Sequence, residues 1–183
     1  FSSLYFIFLV LATFTVYPID VLLKQRLIAS AKRKISSHRK LIVLGITGSY
    51  GKTTIKEILS AFLQDRGNIL KTPENINTPV GIARLILEKL NSETELFIVE
   101  MGAYKKGDIG RICDIAKPDI VILTGINESH LERFGNILNT ISAKFEIVDH
   151  SHENAIVVLN ADNPLVVREY KNHVGKRKLF FYS

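Results

Sequence analysis

After residue 40 the chain alternates short, continuous apolar runs with longer stretches of helical periodicity. The apolar runs cover residues 41–46, 96–101, 119–126 and 155–160. Apolar runs of this length, without polar alternation, are typical of strands that are buried on both faces. Amphipathic stretches at 52–66, 79–91, 108–116 and 136–149 separate them. The pattern predicts an α/β domain over residues 41–183, with helices on both faces of a parallel sheet.

The N-terminal segment is apolar in a different way. Residues 1–17 contain no charged residue, and the apolar stretch continues to residue 23, interrupted by Pro18 and Asp20. A helix that spans a bilayer needs about 20 apolar residues. Residues 1–23 therefore predict a transmembrane anchor, with a buried core helix as the alternative. A cleaved signal peptide fits less well, because its positive charges precede the apolar run.

The positive charge of the chain is concentrated beside that apolar stretch. Residues 1–40 carry seven Lys or Arg and one Asp, which account for the whole net charge of +6. The remainder is neutral overall, so the high pI gives no reason to expect a nucleic-acid-binding face. Basic residues that follow an apolar anchor place the rest of the chain in the cytoplasm.

Residues 24–40 are predicted to be a basic juxtamembrane linker. Four apolar residues within this segment recur at helical spacing, which suits an amphipathic helix on anionic lipid. A plain solvated linker is the alternative. The four residues are Leu27, Ile28, Ala31 and Ile35.

Cysteine content limits the redox chemistry. Cys113 is the single cysteine of the chain, which excludes an intramolecular disulfide and fits a reducing compartment. No paired base is evident near it in the sequence. We therefore expect Cys113 to be a small core residue and not a nucleophile.

The segment GITGSYGKTT (45–54) lies between the first predicted strand and the first predicted helix. Its glycines allow backbone N–H groups to point inward around phosphates, and the helix N-terminus favours anions. Lys52 can reach β- and γ-phosphates, and the Thr53 hydroxyl can ligate Mg²⁺. A strict P-loop requires glycine where Ile46 stands, so the motif is related to that pattern and not identical. The predicted ATP-binding residues are Thr47, Gly48, Ser49, Gly51, Lys52, Thr53 and Thr54.

Several segments share a resemblance to one protein family. G-x-T-G-S-x-G-K-T-T resembles the ATP loop of the Mur ligases and of their folylpolyglutamate synthetase relatives. Other segments in the same order resemble the Mur ligases that add D-alanyl-D-alanine, and the resemblance covers about residues 41–183. These segments are TPENINTPVGIARLIL (72–87), VEMGAYKKGDIGRI (99–112), HLERFGN (130–136), AKFEI (143–147) and NADNP (160–164).

The resemblance implies an ATP- and Mg²⁺-dependent ligase of peptidoglycan synthesis. ATP would phosphorylate a carboxylate of a UDP-muramoyl peptide, and the amine of D-alanyl-D-alanine would attack the acyl phosphate. Residues 41–183 would be the central ATP-binding domain, inactive without the C-terminal domain that follows in the family. The expected location is the cytoplasmic face of the bacterial plasma membrane. Alternatives are another ligase of the superfamily, a membrane-tethered ATP-binding module without ligase activity, and a small P-loop kinase.

Four residues are expected to carry the chemistry: Lys52, Glu100, His130 and Lys144. Glu100 ends the apolar run LFIVE, and an acid at the carboxyl end of a parallel strand lies where such sheets bind ligands. Resemblance implies that His130 ligates a second Mg²⁺ and that Lys144 is carbamylated, which requires a neutral amine. With Thr53, the last three form the predicted metal site. The alternatives are a solvated Glu, a structural His and a surface Lys.

Three asparagines complete the expected site. Resemblance implies that Asn75 and Asn77 contact the nucleotide-sugar peptide or phosphate, although turn formation explains them nearly as well. Asn160 resembles the adenine-contacting Asn of the family. One segment departs from the family pattern: typical members read T-N-I-G where this chain has Thr-Gly-Ile-Asn at 124–127. Any role of the family Asn at position 125 is therefore in doubt.

Overall fold

A computed structural model describes residues 2–128 and 134–183. The side chains of residues 2–12 and of residue 15 also lie outside the description. The described ranges contain five α-helices of eight or more residues, one shorter α-helix and six strands. The helices are α1 (Ser2–Ser36), α2 (Lys52–Leu63), α3 (Pro79–Lys89), α4 (Asp108–Ile115), α5 (Ile137–Asp149) and the shorter α6 (Pro164–Glu169).

The strands form one six-stranded sheet in the order β2-β3-β1-β4-β5-β6, and every neighbouring pair is parallel. The four strands and four helices predicted from residue 41 onward are confirmed, with small shifts at their ends. The strands are β1 (Ile42–Thr47), β2 (Ile69–Lys71), β3 (Leu96–Glu100), β4 (Ile120–Leu123), β5 (Ile156–Asn160) and β6 (Lys178–Tyr182).

Helices cover both faces of the sheet, as predicted. On one face α2 packs through Ile55 and Leu59 against Leu44 and Ile46 of β1. The opposite face is covered by α1, α3, α4 and α5, which also contact one another. Each apolar strand therefore buries both of its faces, which explains why the strand sequences lack polar alternation.

The C-terminal half of α1 belongs to the packed core. Ala31 is fully buried and Ile35 is 8% exposed, with Leu27 and Ile28 packed beside them. Lys34 Nζ donates to the carbonyl oxygen of Leu87 at 2.8 Å, which fastens α1 to α3. The segment predicted to be a linker at 24–40 is thus largely helical, and its apolar side faces protein, not lipid. Burial of these four side chains against α3 and α4 is the physical reason.

The N-terminal half of α1 is exposed where its side chains are described. Phe14, Tyr17 and Leu23 are 76%, 69% and 58% exposed. Among the described residues, no helix is both long enough and apolar enough to cross a membrane. The transmembrane anchor predicted for residues 1–23 is not confirmed.

Candidate nucleotide-binding site

The carboxyl ends of β1, β3, β4 and β5 bring four loops to one edge of the sheet. These loops carry most of the residues that the sequence singled out. In open parallel sheets ligands bind at this edge, beside the central strands. β1 lies between β3 and β4, so the loop after β1 is central.

Two glycines, Gly48 and Gly51, determine the shape of the loop after β1. Gly51 has a φ of 74° and directly precedes α2, so it occupies the left-handed region that suits glycine. Gly48 has no room for a side chain, since a Cβ there would lie 1.9 Å from Thr124 Oγ1. The loop therefore runs close to the end of β4, and its backbone leads into the N-terminus of α2. This is the arrangement expected of a phosphate-binding loop.

Lys52 and Thr53 begin α2 and point toward the same edge. Lys52 Nζ donates back to the carbonyl oxygen of Gly48 at 2.9 Å, so the ammonium lies over the loop. Thr53 Oγ1 donates to Glu100 Oε2 at 2.9 Å. Glu100 ends β3 and is 6% exposed, so two of the four residues predicted to ligate Mg²⁺ are in direct contact.

The remaining loop residues have different surroundings. Thr47 is buried, and its hydroxyl donates to the carbonyl oxygen of Met101 at 2.8 Å. Ser49 is tied to the segment after β4, because its N–H donates to Gly125 O and its Oγ accepts from Asn127 N. Thr54 is exposed on α2. Thr47 and Ser49 therefore hold the loop in place through β3 and β4.

Lys56 was not singled out by the sequence, and the structure places it beside Glu100. The residue is 0% exposed, and Nζ lies 3.3 Å from Glu100 Oε2 and 3.6 Å from Glu57 Oε1. Lys56 Nζ is the one buried side-chain polar atom without a hydrogen bond among the described residues. Helical periodicity alone makes residue 56 look like an ordinary polar position, so only its burial identifies it.

Lys144 lies in α5 and is 6% exposed. Burial, with the nearby charge of Lys52, lowers the pKa of the Lys144 amine from 10.5 to about 8, against a smaller opposing effect of Glu146. Burial also lowers the pKa of Lys52, against the attraction of Glu100. Lys144 is therefore not the ordinary surface lysine of the alternative interpretation, and a larger share of its amine is neutral.

Glu146 lies two residues after Lys144 in α5 and has a structural role. Its carboxylate accepts hydrogen bonds from Gly107 N at 2.6 Å and from Gly110 N at 3.0 Å, at the N-terminus of α4. These contacts satisfy backbone donors that the helix itself leaves free. They also fix α5 against α4, and so the position of Lys144.

The three asparagines follow or end two strands: Asn75 and Asn77 lie in the loop after β2, and Asn160 ends β5. The main-chain carbonyl oxygen of Asn77 accepts a hydrogen bond from Gly102 N at 3.1 Å, which places Asn77 beside the end of β3. Asn75 is exposed with a φ of 64°, a turn conformation that Asn tolerates. Asn160 Nδ2 donates to Thr124 O at 2.8 Å and its Oδ1 accepts from Asp162 N, so its amide braces β5 against β4.

The expected second-metal histidine, His130, lies outside the described residues. Among the described residues, no group of three or more His, Cys, Asp or Glu side chains is placed to hold a metal ion. The predicted metal ligands also include a hydroxyl and a lysine. Two of these predicted ligands, Thr53 and Glu100, lie in contact in the structure. Their oxygens are hard donors of the kind that Mg²⁺ prefers, so the residues present fit that ion.

Tyr50 leaves no space for a side chain at position 125, where the chain departs from the family pattern. A Cβ on Gly125 would lie 2.3 Å from the phenolic oxygen of Tyr50, so the ring occupies the space of a side chain at that position. Asn163 Nδ2 donates to Tyr50 Oη at 3.2 Å and to Ile126 O at 2.9 Å. The phosphate loop is thereby connected to the N-terminus of α6.

Cys113 is confirmed as a core residue. It is 1% exposed, and its Sγ lies 3.7 Å from Met101 Sδ. Burial raises the pKa of the Cys113 thiol, which disfavours the reactive thiolate.

Comparison with known proteins agrees with this geometry. The family model of the Mur ligase middle domain matches residues 46–183. A UDP-N-acetylmuramoyl-tripeptide–D-alanyl-D-alanine ligase of Synechocystis is 38% identical over 125 residues, which cover 68% of this chain and 27% of that protein. The enzyme of the same name from Escherichia coli is 33% identical over 141 residues, 77% of this chain and 31% of that protein.

Solved structures show the same relationship. MurF ligase from Thermotoga maritima in complex with ADP has a TM-score of 0.79 and 38% identity, over 86% of this chain and 36% of that one. MurF from Acinetobacter baumannii has a TM-score of 0.82 and 26% identity, over 87% and 35% of the two chains. The chain thus spans about a third of the length of the relatives it matches. With its glycine-rich loop after β1, its parallel sheet and these matches, the chain belongs to the Mur ligase family and carries that family's middle domain.

Proposed function

We propose that this chain is the ATP-binding part of a ligase that joins D-alanyl-D-alanine to a UDP-muramoyl tripeptide. The observation that carries the proposal is the convergence of Lys52, Thr53 and Glu100 at the loop after β1, with Thr53 Oγ1 and Glu100 Oε2 2.9 Å apart. The relatives named above are D-alanyl-D-alanine-adding ligases, and one of them was solved with ADP. ATP is accordingly the proposed nucleotide.

The proposed reaction has two steps. The carboxylate of the muramoyl peptide attacks the γ-phosphorus of ATP, which forms an acyl phosphate and releases ADP. The amine of D-alanyl-D-alanine then attacks the acyl carbon, forms the amide bond and releases phosphate. Phosphoryl transfer of this kind depends mainly on positioning and on neutralising charge, so no protein nucleophile is required. The buried thiol of Cys113 is consistent with a reaction that uses no protein nucleophile.

Lys52 supplies positive charge at the loop. Its ammonium contacts the carbonyl oxygen of Gly48 in that loop, and a lysine at this place in a phosphate-binding loop can reach β- and γ-phosphates. Thr53 and Glu100 are the proposed Mg²⁺ ligands, and the ion would offset the negative charge of the phosphates. Gly48 and Gly51 let the loop backbone approach those phosphates, and Ser49 fixes the loop to the end of β4.

Lys144 and His130 are proposed to complete a second metal site. The support for Lys144 is its burial and its lowered pKa, because only a neutral amine reacts with CO₂ to give a carbamate. The attack forms an N–C bond and releases one proton to solvent, and the product carries a carboxylate-like anion. His130 is proposed from its motif alone.

Asn75, Asn77 and Asn160 are proposed substrate and nucleotide contacts. Asn77 is supported by its place beside Gly102, directly after β3. Asn160 is supported by its place at the end of β5, where its amide is fixed by Thr124 and Asp162. Asn75 is exposed in a turn and is supported by the family motif alone.

The test is phosphate release by the protein encoded by the complete gene. We expect release that depends on ATP, Mg²⁺, UDP-muramoyl tripeptide and D-alanyl-D-alanine together. Glutamate with a folate acceptor serves as the control for another ligase of the superfamily. Nucleotide binding without substrate-dependent phosphate release would favour an ATP-binding module without ligase activity. Phosphate transfer to a small-molecule hydroxyl would favour a kinase.

Membrane attachment of residues 1–40 is a separate proposal. It is supported by the exposed apolar side chains of α1, such as Phe14 and Ile19, next to the basic residues that follow. The test is fractionation of cells that express the chain with and without residues 1–23. The truncation stops at residue 23 because Leu27 to Ile35 belong to the domain core. Equal solubility of the two versions would contradict the attachment.

A further inference from the structure

We propose that Lys56 is a positioning residue, whose buried ammonium holds the Glu100 carboxylate in the orientation that binds Mg²⁺. The inference rests on the proposed function, in which Glu100 ligates the ion. Lys56 is 0% exposed, so its ammonium cannot contact a ligand from solvent. Its effect on the site must pass through a neighbouring side chain.

Glu100 is the neighbour that carries this effect. Lys56 Nζ lies 3.3 Å from Glu100 Oε2, and the Glu100 side chain is 7% exposed. The second acid nearby, Glu57, lies 3.6 Å away, is 46% exposed and also pairs with Lys71. Charges interact more strongly where water is excluded, so the Lys56–Glu100 pair is the stronger of the two.

Two side chains of α2 contact the same oxygen of Glu100. Lys56 follows Thr53 by three residues, and residues at this spacing share one face of a helix. Thr53 Oγ1 is 2.9 Å and Lys56 Nζ is 3.3 Å from the same atom, Glu100 Oε2. Within the described part of the chain, both contacts of the carboxylate use Oε2. With Oε2 held in this way, Oε1 is the oxygen that we propose to ligate the metal.

A purely stabilising role explains the pair poorly. Burying an ion pair costs desolvation energy, and replacing such a pair with apolar side chains is often neutral or stabilising. Lys56 also lacks a well-directed hydrogen bond, so the ammonium is incompletely compensated. A buried cation kept under these conditions, directly behind a proposed metal ligand, indicates a role in orienting that ligand.

The experiment measures Mg²⁺ dependence of nucleotide binding to the complete chain. Fluorescent ADP is titrated in EDTA and then at increasing Mg²⁺, for the wild type and for Lys56→Met. We expect unchanged affinity in EDTA, because Lys52 and the loop are intact. The Mg²⁺ midpoint should rise about 10- to 100-fold, the usual effect of removing a residue that orients a metal ligand.

Lys71→Met is the matched control, because Lys71 contacts Glu57 and not Glu100. Its Mg²⁺ midpoint should equal that of the wild type. A wild-type or lower midpoint in folded Lys56→Met would overturn the inference. If the wild type itself shows no Mg²⁺-dependent binding, the proposed function fails instead, so the two failures are distinguishable.

A measurement on the wild type does not depend on the folding of a variant. The ¹⁵Nζ resonance of Lys56, assigned in lysine-labelled protein, should shift when Mg²⁺ is added in the presence of ADP. ADP in EDTA should not produce that shift, since Glu100 then gains no ligand. An Mg²⁺-insensitive resonance would also overturn the inference, even if Lys56→Met does not fold.

Discussion

The phenolic oxygen of Tyr50 lies where the side chain of residue 125 would begin. A Cβ on Gly125 would be 2.3 Å from that oxygen and 2.5 Å from Tyr50 Cζ, closer than Cβ atoms approach other atoms. The two residues lie in the loops after β1 and after β4. The identity of residue 125 therefore constrains the loop after β1, which carries Tyr50.

Gly125→Ala should destabilise the protein by about 1–3 kcal/mol, because the new methyl group overlaps the Tyr50 ring. The ring would have to leave Asn163, its hydrogen-bond partner. Urea unfolding of Gly125→Ala and Tyr50→Ser, singly and combined, measures this. In the Tyr50→Ser background the methyl group meets no ring, so the substitution should cost less. Additive losses would show that the two residues do not interact.

Lys52→Ala should weaken ATP binding about 10- to 100-fold and leave the fold intact, because one charge-assisted contact to phosphate is lost. The loop backbone does not depend on the ammonium, apart from the contact with Gly48 O. Nucleotide titration and circular dichroism measure the two effects. Lys171→Ala is the control, since that lysine is exposed in the short helical turn after α6. Unchanged affinity in folded Lys52→Ala would remove the loop from the site.

Lys144 should form a carbamate more readily than an ordinary lysine. With a pKa of about 8, about a tenth of its amine is neutral at neutral pH, against about one part in three thousand at the ordinary pKa. ¹³C-bicarbonate and NMR can detect a carbamate that increases from about pH 6.5 to 8.5. Lys144→Met should lack the signal. Lys52→Ala should weaken it at a given pH, because the charge of Lys52 helps to lower the pKa of Lys144.

The same pKa shift predicts a pH dependence of stability. The unfolded Lys144 keeps the ordinary pKa of 10.5, so between about pH 8 and 10.5 the unfolded state binds more protons. Free energy of unfolding should therefore increase with pH in this window, by at most about 1.4 kcal/mol per pH unit from this residue. Below it the penalty of burying the ammonium is constant. Lys144→Met should show a flatter profile in urea unfolding, and equal slopes would contradict the burial of the charge.

Ala31→Glu should destabilise the domain by roughly 3 kcal/mol, because it would bury an unpaired carboxylate where α1 packs in the core. Ala29→Glu is the matched control on the same helix, since Ala29 is exposed and Ala31 is 0% exposed. Urea unfolding compares the two variants. Equal stabilities would mean that α1 is a detached linker, as the charge pattern of residues 24–40 suggests.

The sequence predicted the sheet, four of the helices and the glycine-rich turn between β1 and α2 because these depend on local patterns. Continuous apolar runs report strands buried on both faces, and helical periodicity reports one buried side. β2 and β6 were missed, since they are edge strands with partly exposed side chains and with only the short apolar runs IL and LFFY. α6 was also missed, because it is short. The one sequence signal for it is the helix-start pattern of Asn163 followed by Pro164.

Contacts between residues far apart in the chain were decided by the tertiary structure. The same apolar spacing in α1 fits lipid or protein, and only the presence of α3 and α4 beside Ala31 selects protein. Lys56 and Lys144 look like surface lysines in the sequence, because burial depends on which elements cover them. Tyr50 constrains Gly125 across 75 positions for the same reason. Residue types determine what chemistry is possible, whereas the packing of distant elements determines which side chains are desolvated and brought together.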